Sequence, residues 1–435
     1  MTLSGRFVAL LAIGVIPVVI LGHDAGVGAL VLIGWIVLCL ALGAVDLAVA
    51  ASPRAVSVER ALPARVRLGE TVASELYLTN TGNRTLNSRV RDGWQPSAGS
   101  PTTRSTAHIP PGERRRVTVM LTPRRRGERR VEQVTIRVWG PLGLWGRQAT
   151  LLAPGRIRVL PAFTSRKHLP SRLARLRELD GLTSVMIRGQ GTEFDSLREY
   201  VRGDDVRSID WRATARRNDV VVRTWRPERD RRVVILIDTS RTSAARIGNE
   251  PRIDTAFEST LLLAALASRA GDRVDVIAFD RRIRGRVQGA TGAELLSRLV
   301  DTMAVIDPEL IEMDWSSVPA QITALTTQRA LVVVLTSIES PGASHGLLSV
   351  LPQLTRKHTV FVASVTDPAV FEATLQRGDR DEVYRAASAE RTLLDGARVA
   401  AAIRRLGGEV VTGSPESLPP AVADRYIALK AAGLL

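Results

Sequence analysis

Two uncharged apolar runs open the chain: residues 7–21 read FVALLAIGVIPVVIL and residues 27–45 read VGALVLIGWIVLCLALGAV. A helix crosses a bilayer with roughly 20 apolar residues, so the second run reaches the required length and the first lies at the short end. Gly22-His23-Asp24-Ala25-Gly26 separates them, which predicts a transmembrane helical hairpin over residues 1–50. A cleaved signal peptide would use Arg6 and the first run, but a signal core is not usually followed by a second, longer span. Arg54, Arg60, Arg65 and Arg67 follow the second run, and the connecting turn carries no Lys or Arg. The positive-inside bias then predicts two spans with both termini and the bulk of the chain in the cytoplasm. The same arginines would face anionic headgroups. Cys39 falls at lipid depth and reads as a small packing residue.

Residues 51–162 change to short alternating segments at 56–58, 74–78, 116–121 and 133–138, punctuated by Asn80-Thr81-Gly82-Asn83 and Pro110-Pro111-Gly112. Short strands with frequent turn signals predict an Ig-like β-sandwich. No catalytic cluster lies here. The arginine runs 114–116 and 124–126 read as solvated faces, and the unit as a spacer or interaction module.

From residue 229 to 435 the pattern is that of an α/β domain. Val233-Val234-Ile235-Leu236-Ile237 is apolar throughout, as in a strand buried on both faces of a parallel sheet. Further strands are predicted at 274–279, 330–335, 360–365 and 409–411, with helices over 256–270 and 389–406. Strands alternating with helices imply right-handed crossovers and a doubly wound, Rossmann-like sheet.

Charge and composition narrow the chemistry. The net charge is +16, and lysine occurs only at Lys167, Lys357 and Lys430, none of them after a glycine. A Walker A phosphate loop is therefore excluded. A basic balance admits nucleic acid or an anionic membrane as partner, but aromatics make up 4% of the chain, which disfavours a base-stacking platform. A single cysteine excludes a disulfide framework and a cysteine zinc cluster.

In open α/β sheets ligands bind beyond the carboxyl ends of the strands. The first strand delivers Asp238-Thr239-Ser240-Arg241-Thr242 to that edge. One carboxylate and two hydroxyls at alternate positions form an oxygen-only set suited to Mg²⁺. The competing reading is that Asp238 and Ser240 satisfy loop and helix-start donors. The arrangement resembles a von Willebrand factor A domain, whose metal-ion-dependent adhesion site begins Asp-x-Ser-x-Ser. The resemblance implies metal-ligating roles for Asp238, Ser240 and Thr242. The sequence departs from that pattern at Ser337, which stands where the family has an aspartate, with Glu339 nearby. Asp314, Ser316 or Ser317 would supply the middle loop.

Upstream, residues 189–216 read GQGTEFDSLREYVRGDDVRSIDWRATAR. Glu193-Phe194, Arg198-Glu199-Tyr200, Gly203-Asp204-Asp205, Arg207, Asp210-Trp211 and Arg216 resemble the signature of the DUF58 family of bacterial membrane proteins. The resemblance extends to Arg126-Gly127 and Gly140-Pro141-Leu142-Gly143-Leu144. Arginines this dense should lower the pKa of the signature acids, and ionised acids are poor proton donors. A network of Arg–carboxylate pairs over residues 163–228, clamping the segment onto the α/β domain with Trp211 as buried anchor, is the expected arrangement. The resemblance implies a bacterial inner-membrane protein with a MoxR-type AAA+ ATPase as partner, in chaperone-like assembly or envelope roles. The expected function is a non-enzymatic, membrane-anchored protein-protein interaction module. The alternatives are a hydrolase using the Glu193–Asp210 carboxylates and a nucleic-acid binder using the basic β unit.

Overall fold

The computed structural model describes residues 2–186, 193–202, 204–217, 219–226 and 231–435. They form two compact units, Met1–Leu160 and Pro161–Leu435.

In the first unit β1 (Thr2–Leu3) precedes three apolar helices, α1 (Gly5–Ile13), α2 (Val15–Leu21) and α3 (Ala25–Val49). The first apolar run is thus not one helix. Pro17 has no N–H to give the carbonyl of Ile13, and α1 stops there. Asp24 caps α3 by accepting the Val27 N–H at 2.9 Å. Among the described residues one helix, Ala25–Val49, is long and apolar enough to cross a membrane. The helices touch through Trp35, whose indole donates to the Leu10 carbonyl at 3.1 Å. Cys39 is buried beside Phe7 and Leu144, the packing role expected of it.

The rest of this unit is strand: β2 (Val56–Ala61), β3 (Arg65–Arg67), β4 (Val72–Asn80), β5 (Leu86–Asp92), β6 (Arg104–Ile109), β7 (Arg114–Leu121), β8 (Gly127–Trp139) and β9 (Trp145–Leu160). One sheet has the order β1-β9-β8-β5-β6, with β3 beside β9, and the other β2-β4-β7. Alternation makes this possible: β5 buries every second residue, and β7 does so from Val117 to Leu121. Leu76, Leu78 and Val117 from the smaller sheet meet Leu86, Val90, Ile136 and Val138 from the larger in one core. Arg60 and Asp92 join the sheets by a bidentate pair at 2.8 and 2.9 Å. Of the two arginine runs, 114–116 is exposed as expected, but Arg126 is buried.

The second unit begins with α4 (Leu169–Met186) and a two-stranded ladder, β10 (Glu193–Glu199) with β11 (Val221–Arg226), enclosing α5 (Trp211–Arg217). A six-stranded sheet follows. It comprises β12 (Arg232–Asp238), β15 (Arg273–Phe279), β16 (Ile283–Val287), β17 (Leu331–Leu335), β18 (Thr359–Val365) and β19 (Glu409–Gly413). Between β12 and β15 lie α6 (Arg241–Ala244), a minimal ladder of β13 (Arg246–Ile247) and β14 (Glu250–Pro251), and α7 (Arg252–Arg269). The other helices are α8 (Gly292–Ala304), α9 (Val318–Leu325), α10 (His345–Thr355), α11 (Pro368–Ala373), α12 (Arg380–Arg405) and α13 (Leu418–Ala431).

The strand order is β16-β15-β12-β17-β18-β19, parallel except for the antiparallel edge strand β16. Val234, Leu236, Val332 and Val334 pack against Ile322 of α9, Leu351 of α10 and Ile403 of α12. The opposite face carries α7, itself packed on α13. Helices on both sides confirm the doubly wound expectation. Chain order reverses at β12, which leads to β15 on one side and has β17 on the other. The crevice between the carboxyl ends of β12 and β17 is therefore the topological switch point, where such sheets place their ligands.

Candidate functional site at the switch point

Asp238 ends β12 at that crevice, and its neighbours close on it. Its Oδ1 accepts the Ser240 N–H at 2.8 Å, and its Oδ2 accepts the hydroxyls of Thr242 at 3.0 Å and Thr336 at 2.6 Å. Ser240 and Thr242 hydroxyls lie 3.2 Å apart. The Ser243 hydroxyl donates to the Asp238 carbonyl at 2.6 Å. The three sequence-predicted residues thus converge. The hydroxyl arriving from β17 is that of Thr336, not Ser337, because Thr336 directly follows the strand. A signal for it existed in the Leu335-Thr336-Ser337 run, one position from the residue singled out.

The carboxylate itself is 1% exposed. The chain after α8 lies along the loop that carries it: Glu309 N–H donates to the Thr239 carbonyl, Arg241 N–H to the Ile311 carbonyl, and Asp314 N–H to the Asp280 carbonyl, all at 2.9 Å. Residues 309–314 therefore form a strap bonded to the switch-point loops. Its outer surface carries Leu310, 81% exposed. Ion pairs flank it: Arg241 with Glu312 at 2.8 Å, and Glu309 with Arg284 at 2.5 Å and Arg282 at 3.0 Å. The Arg284 guanidinium, and then Arg282, hold the Glu309 carboxyl below the ordinary carboxylate range.

The neighbouring carboxylate and the middle-loop candidates are engaged elsewhere. Asp280 accepts the Thr239 hydroxyl and the N–H groups of Arg281 and Arg282. Asp314 accepts the hydroxyls of Ser316 and Ser317, which lower its pKa. These three middle-loop residues form their own knot. Among the described residues no group of three or more His, Cys, Asp or Glu side chains is placed to hold a metal ion.

The signature segment shows the second correction. Arg198 grips Asp204 through both guanidinium nitrogens at 2.8 and 2.5 Å, and Arg223 holds Asp210 at 2.8 Å. Asp210 also caps α5 through the N–H groups of Ala213 and Arg212, and Asp205 accepts the Arg207 N–H. The Ala213 N–H, and then Arg223, push the Asp210 carboxyl down. Two of the signature acids, Asp204 and Asp210, are thus paired with arginines of the segment itself, while Asp205 holds a backbone N–H. Trp211 is 69% exposed and is no buried anchor. Its position explains this: it opens a short helix whose capping aspartate already fixes that end. Arg202, Arg207, Arg212 and Arg216 are exposed, Glu199 ends β10 and Tyr200 follows it. Gly203 and the side chains of Glu193 and Phe194 lie outside the described residues.

Residues 196–405 match the family model "Protein of unknown function DUF58". The DUF58 match takes in the signature from Ser196 onward, the switch point and the sheet as far as the end of α12. The chain is also 24% identical over 271 residues to uncharacterized proteins of Mycobacterium tuberculosis and Mycobacterium bovis, covering 58% of this chain and 83% of each of them. Among solved structures, a CARDB domain from Pyrococcus furiosus is 20% identical. It covers 24% of this chain and 94% of its own, with a TM-score of 0.19. A beta-glucosidase from Listeria innocua, 15% identical, covers 24% of this chain and 16% of its own, with a TM-score of 0.18. Likenesses at those TM-scores carry no argument.

Proposed function

We propose that this chain is a membrane-anchored protein-protein interaction module whose docking edge is the switch point of its α/β sheet. The observation that carries the reading is the convergence of Asp238, Ser240, Thr242 and Thr336 at the crevice between β12 and β17, beneath a strap that presents Leu310 between ion pairs. An exposed leucine ringed by exchangeable charges is a docking surface rather than a reaction centre. The Arg241–Glu312 pair is exposed on both sides, and such pairs are worth at most about 1 kcal/mol. Arg241 is thus free to trade Glu312 for an acidic side chain of a partner.

The Asp238 cluster supports a von Willebrand factor A-like reading of this domain. Its oxygen-only donors are of the kind Mg²⁺ takes, but Asp238 and Ser240 are buried beneath the strap, so a metal on Asp238, Ser240 and Thr242 would gain water and a partner's carboxylate only once residues 309–314 are displaced. With one carboxylate in the cluster, such a site depends on that outside acid. The non-enzymatic reading is supported by the pairing of Asp204 and Asp210 with arginines and by the lowered pKa of Asp210, which makes that carboxyl a poor proton donor. We place the α/β unit in the bacterial cytoplasm, carried on two spans, with a MoxR-type AAA+ ATPase as partner.

Co-purification of the full-length protein with a MoxR-type ATPase of the same cell tests this. The wild type should retain the ATPase, while Leu310→Asp and Arg241→Ala, both at exposed positions, should each lower its recovery at least tenfold. Retention by both variants would remove the docking edge.

A further inference from the structure

Asp46 stands directly after the uncharged stretch 25–45 and is 1% exposed. The turn between β8 and β9 encloses its carboxylate. Oδ1 accepts the Leu142 N–H at 2.7 Å, and Oδ2 accepts those of Leu144 at 2.7 Å and Trp145 at 3.0 Å. Gly140 admits this approach, since a Cβ there would stand 2.2 Å from Asp46 Oδ1. One turn earlier in α3, a Cβ on Gly43 would come within 2.4 Å of the Trp145 indole. Phe7 of α1 packs edge-on against the same indole, with ring centroids 5.5 Å apart. At the end of α3, Arg84 donates to the carbonyls of Ala48 at 2.7 Å and Val49 at 3.0 Å, where the helix dipole favours a cation. The helix is therefore mounted on the β unit at two points, and the height of the turn along the helix axis is fixed.

That height has a consequence at a bilayer. Residues 25–45 rise about 30 Å, the thickness of the hydrocarbon core. Asp46 then marks the edge of the hydrocarbon, and the turn that holds it sits at the same level. Trp139 and Trp145 flank the turn, and indoles favour that level. Leu142 at the tip is 48% exposed, and Leu3, which pairs with Trp145 through β1, is exposed as well. The exposed Arg6 guanidinium lies beside Gly143, where headgroup phosphates would be met.

We propose that the turn at residues 140–145, together with Leu3 and Arg6, is a lipid-contact element. Leu142 and Leu3 enter the acyl boundary, Trp145 lies at the interface, and the β unit is thereby held at the membrane surface in a fixed orientation. The proposal rests on the reading of α3 as a membrane anchor. It adds a second, non-helical contact that the apolar runs do not contain.

Site-directed nitroxides in the full-length protein test it, because Cys39 can be replaced by alanine to leave no other thiol. Single cysteines Leu32→Cys on α3, Leu142→Cys at the tip and Thr118→Cys on the exposed side of β7 are labelled. The protein is reconstituted into phosphatidylcholine–phosphatidylglycerol vesicles. Accessibility to oxygen and to a water-soluble nickel chelate is then compared. The expected result is oxygen-favoured relaxation at position 32, a smaller oxygen preference at 142, and nickel preference at 118. Adding Asp46→Ala should move the label at 142 toward the aqueous value and leave position 32 unchanged. An aqueous label at 142 with a lipid-exposed label at 32 would overturn the lipid-contact element while sparing the anchor. An aqueous label at both positions would overturn the anchor, and the element with it.

Discussion

Replacing Asp238 with alanine separates a structural role for the switch-point carboxylate from a purely ligand-binding one. The substitution removes the acceptor of three hydrogen bonds, from the Ser240 N–H and the Thr242 and Thr336 hydroxyls. Hydrogen bonds to a charged group contribute about 1.5–3 kcal/mol each, which bounds the loss at about 4.5–9 kcal/mol. Two effects reduce it. The Ser240 and Thr242 hydroxyls already lie 3.2 Å apart and can pair with each other, and a buried charge is removed. The expected net loss is about 3–5 kcal/mol, a fifth or more of the roughly 5–15 kcal/mol that stabilises an ordinary domain. Asp238→Asn keeps an acceptor oxygen but turns an NH₂ toward one donor, so about half that loss is expected. A single melting temperature does not define the stability of one unit in a two-unit chain. Hydrogen exchange of the full-length protein, read on peptides from β12 and β17, does, because central strands exchange through opening of the whole unit. Asp238→Ala should shorten their protection between about a hundredfold and several thousandfold. Unchanged protection would refute the reasoning. Increased protection would do so more sharply, since it would mean that the carboxylate is kept at the expense of stability for a ligand.

In the β unit, Arg60 and Asp92 are almost fully buried, and Arg60 also donates to Ser74 and to the Ala153 carbonyl. Asp92→Ala should therefore cost about 3–5 kcal/mol by leaving a buried guanidinium, and Arg60→Met with Asp92→Leu should recover most of it. A single-variant loss under about 1 kcal/mol, read by exchange from β2 and β5, would contradict this. In the α/β unit, burial and the neighbouring Lys357 hold the His358 pKa below the ordinary imidazole range. The unfolded chain then takes up the proton first, so stability is full above about pH 6.5 and falls as pH drops toward the folded value. His358→Gln should flatten that slope between pH 7 and pH 5, and an unaltered slope would show that other groups cause it.

Much of the framework was legible in the sequence because it depends on local pattern. The continuous run at 233–237 could be satisfied only by burial on both faces, and it became the central parallel strand β12. The alternating segments at 74–78 and 116–121 lie within β4 and β7. Elements without that contrast were missed or misjudged. The antiparallel edge strand β16, reading Ile-Arg-Gly-Arg-Val, is half polar because one side of it has no neighbour. The first apolar run reads as one helix until the missing N–H of Pro17 is weighed. Helix α12 begins nine residues before its predicted start, since its first half buries little beyond Ala386 and Ala389 and shows no apolar stripe.

The sequence by itself determined the two apolar runs, the five parallel strands of the α/β sheet, and the delivery of Asp238, Ser240 and Thr242 to one loop. Each of these follows from residue type and from spacings of two or about four, which the backbone geometry imposes locally. Only the tertiary structure decided that Thr336 rather than Ser337 completes the cluster, that a strap from beyond α8 runs over it, and that Trp211 faces outward. It likewise decided that Asp46 is held by a turn almost a hundred residues away. Those outcomes join segments far apart in the chain. They are settled by which buried donors each carboxylate must satisfy, a demand that no local pattern records.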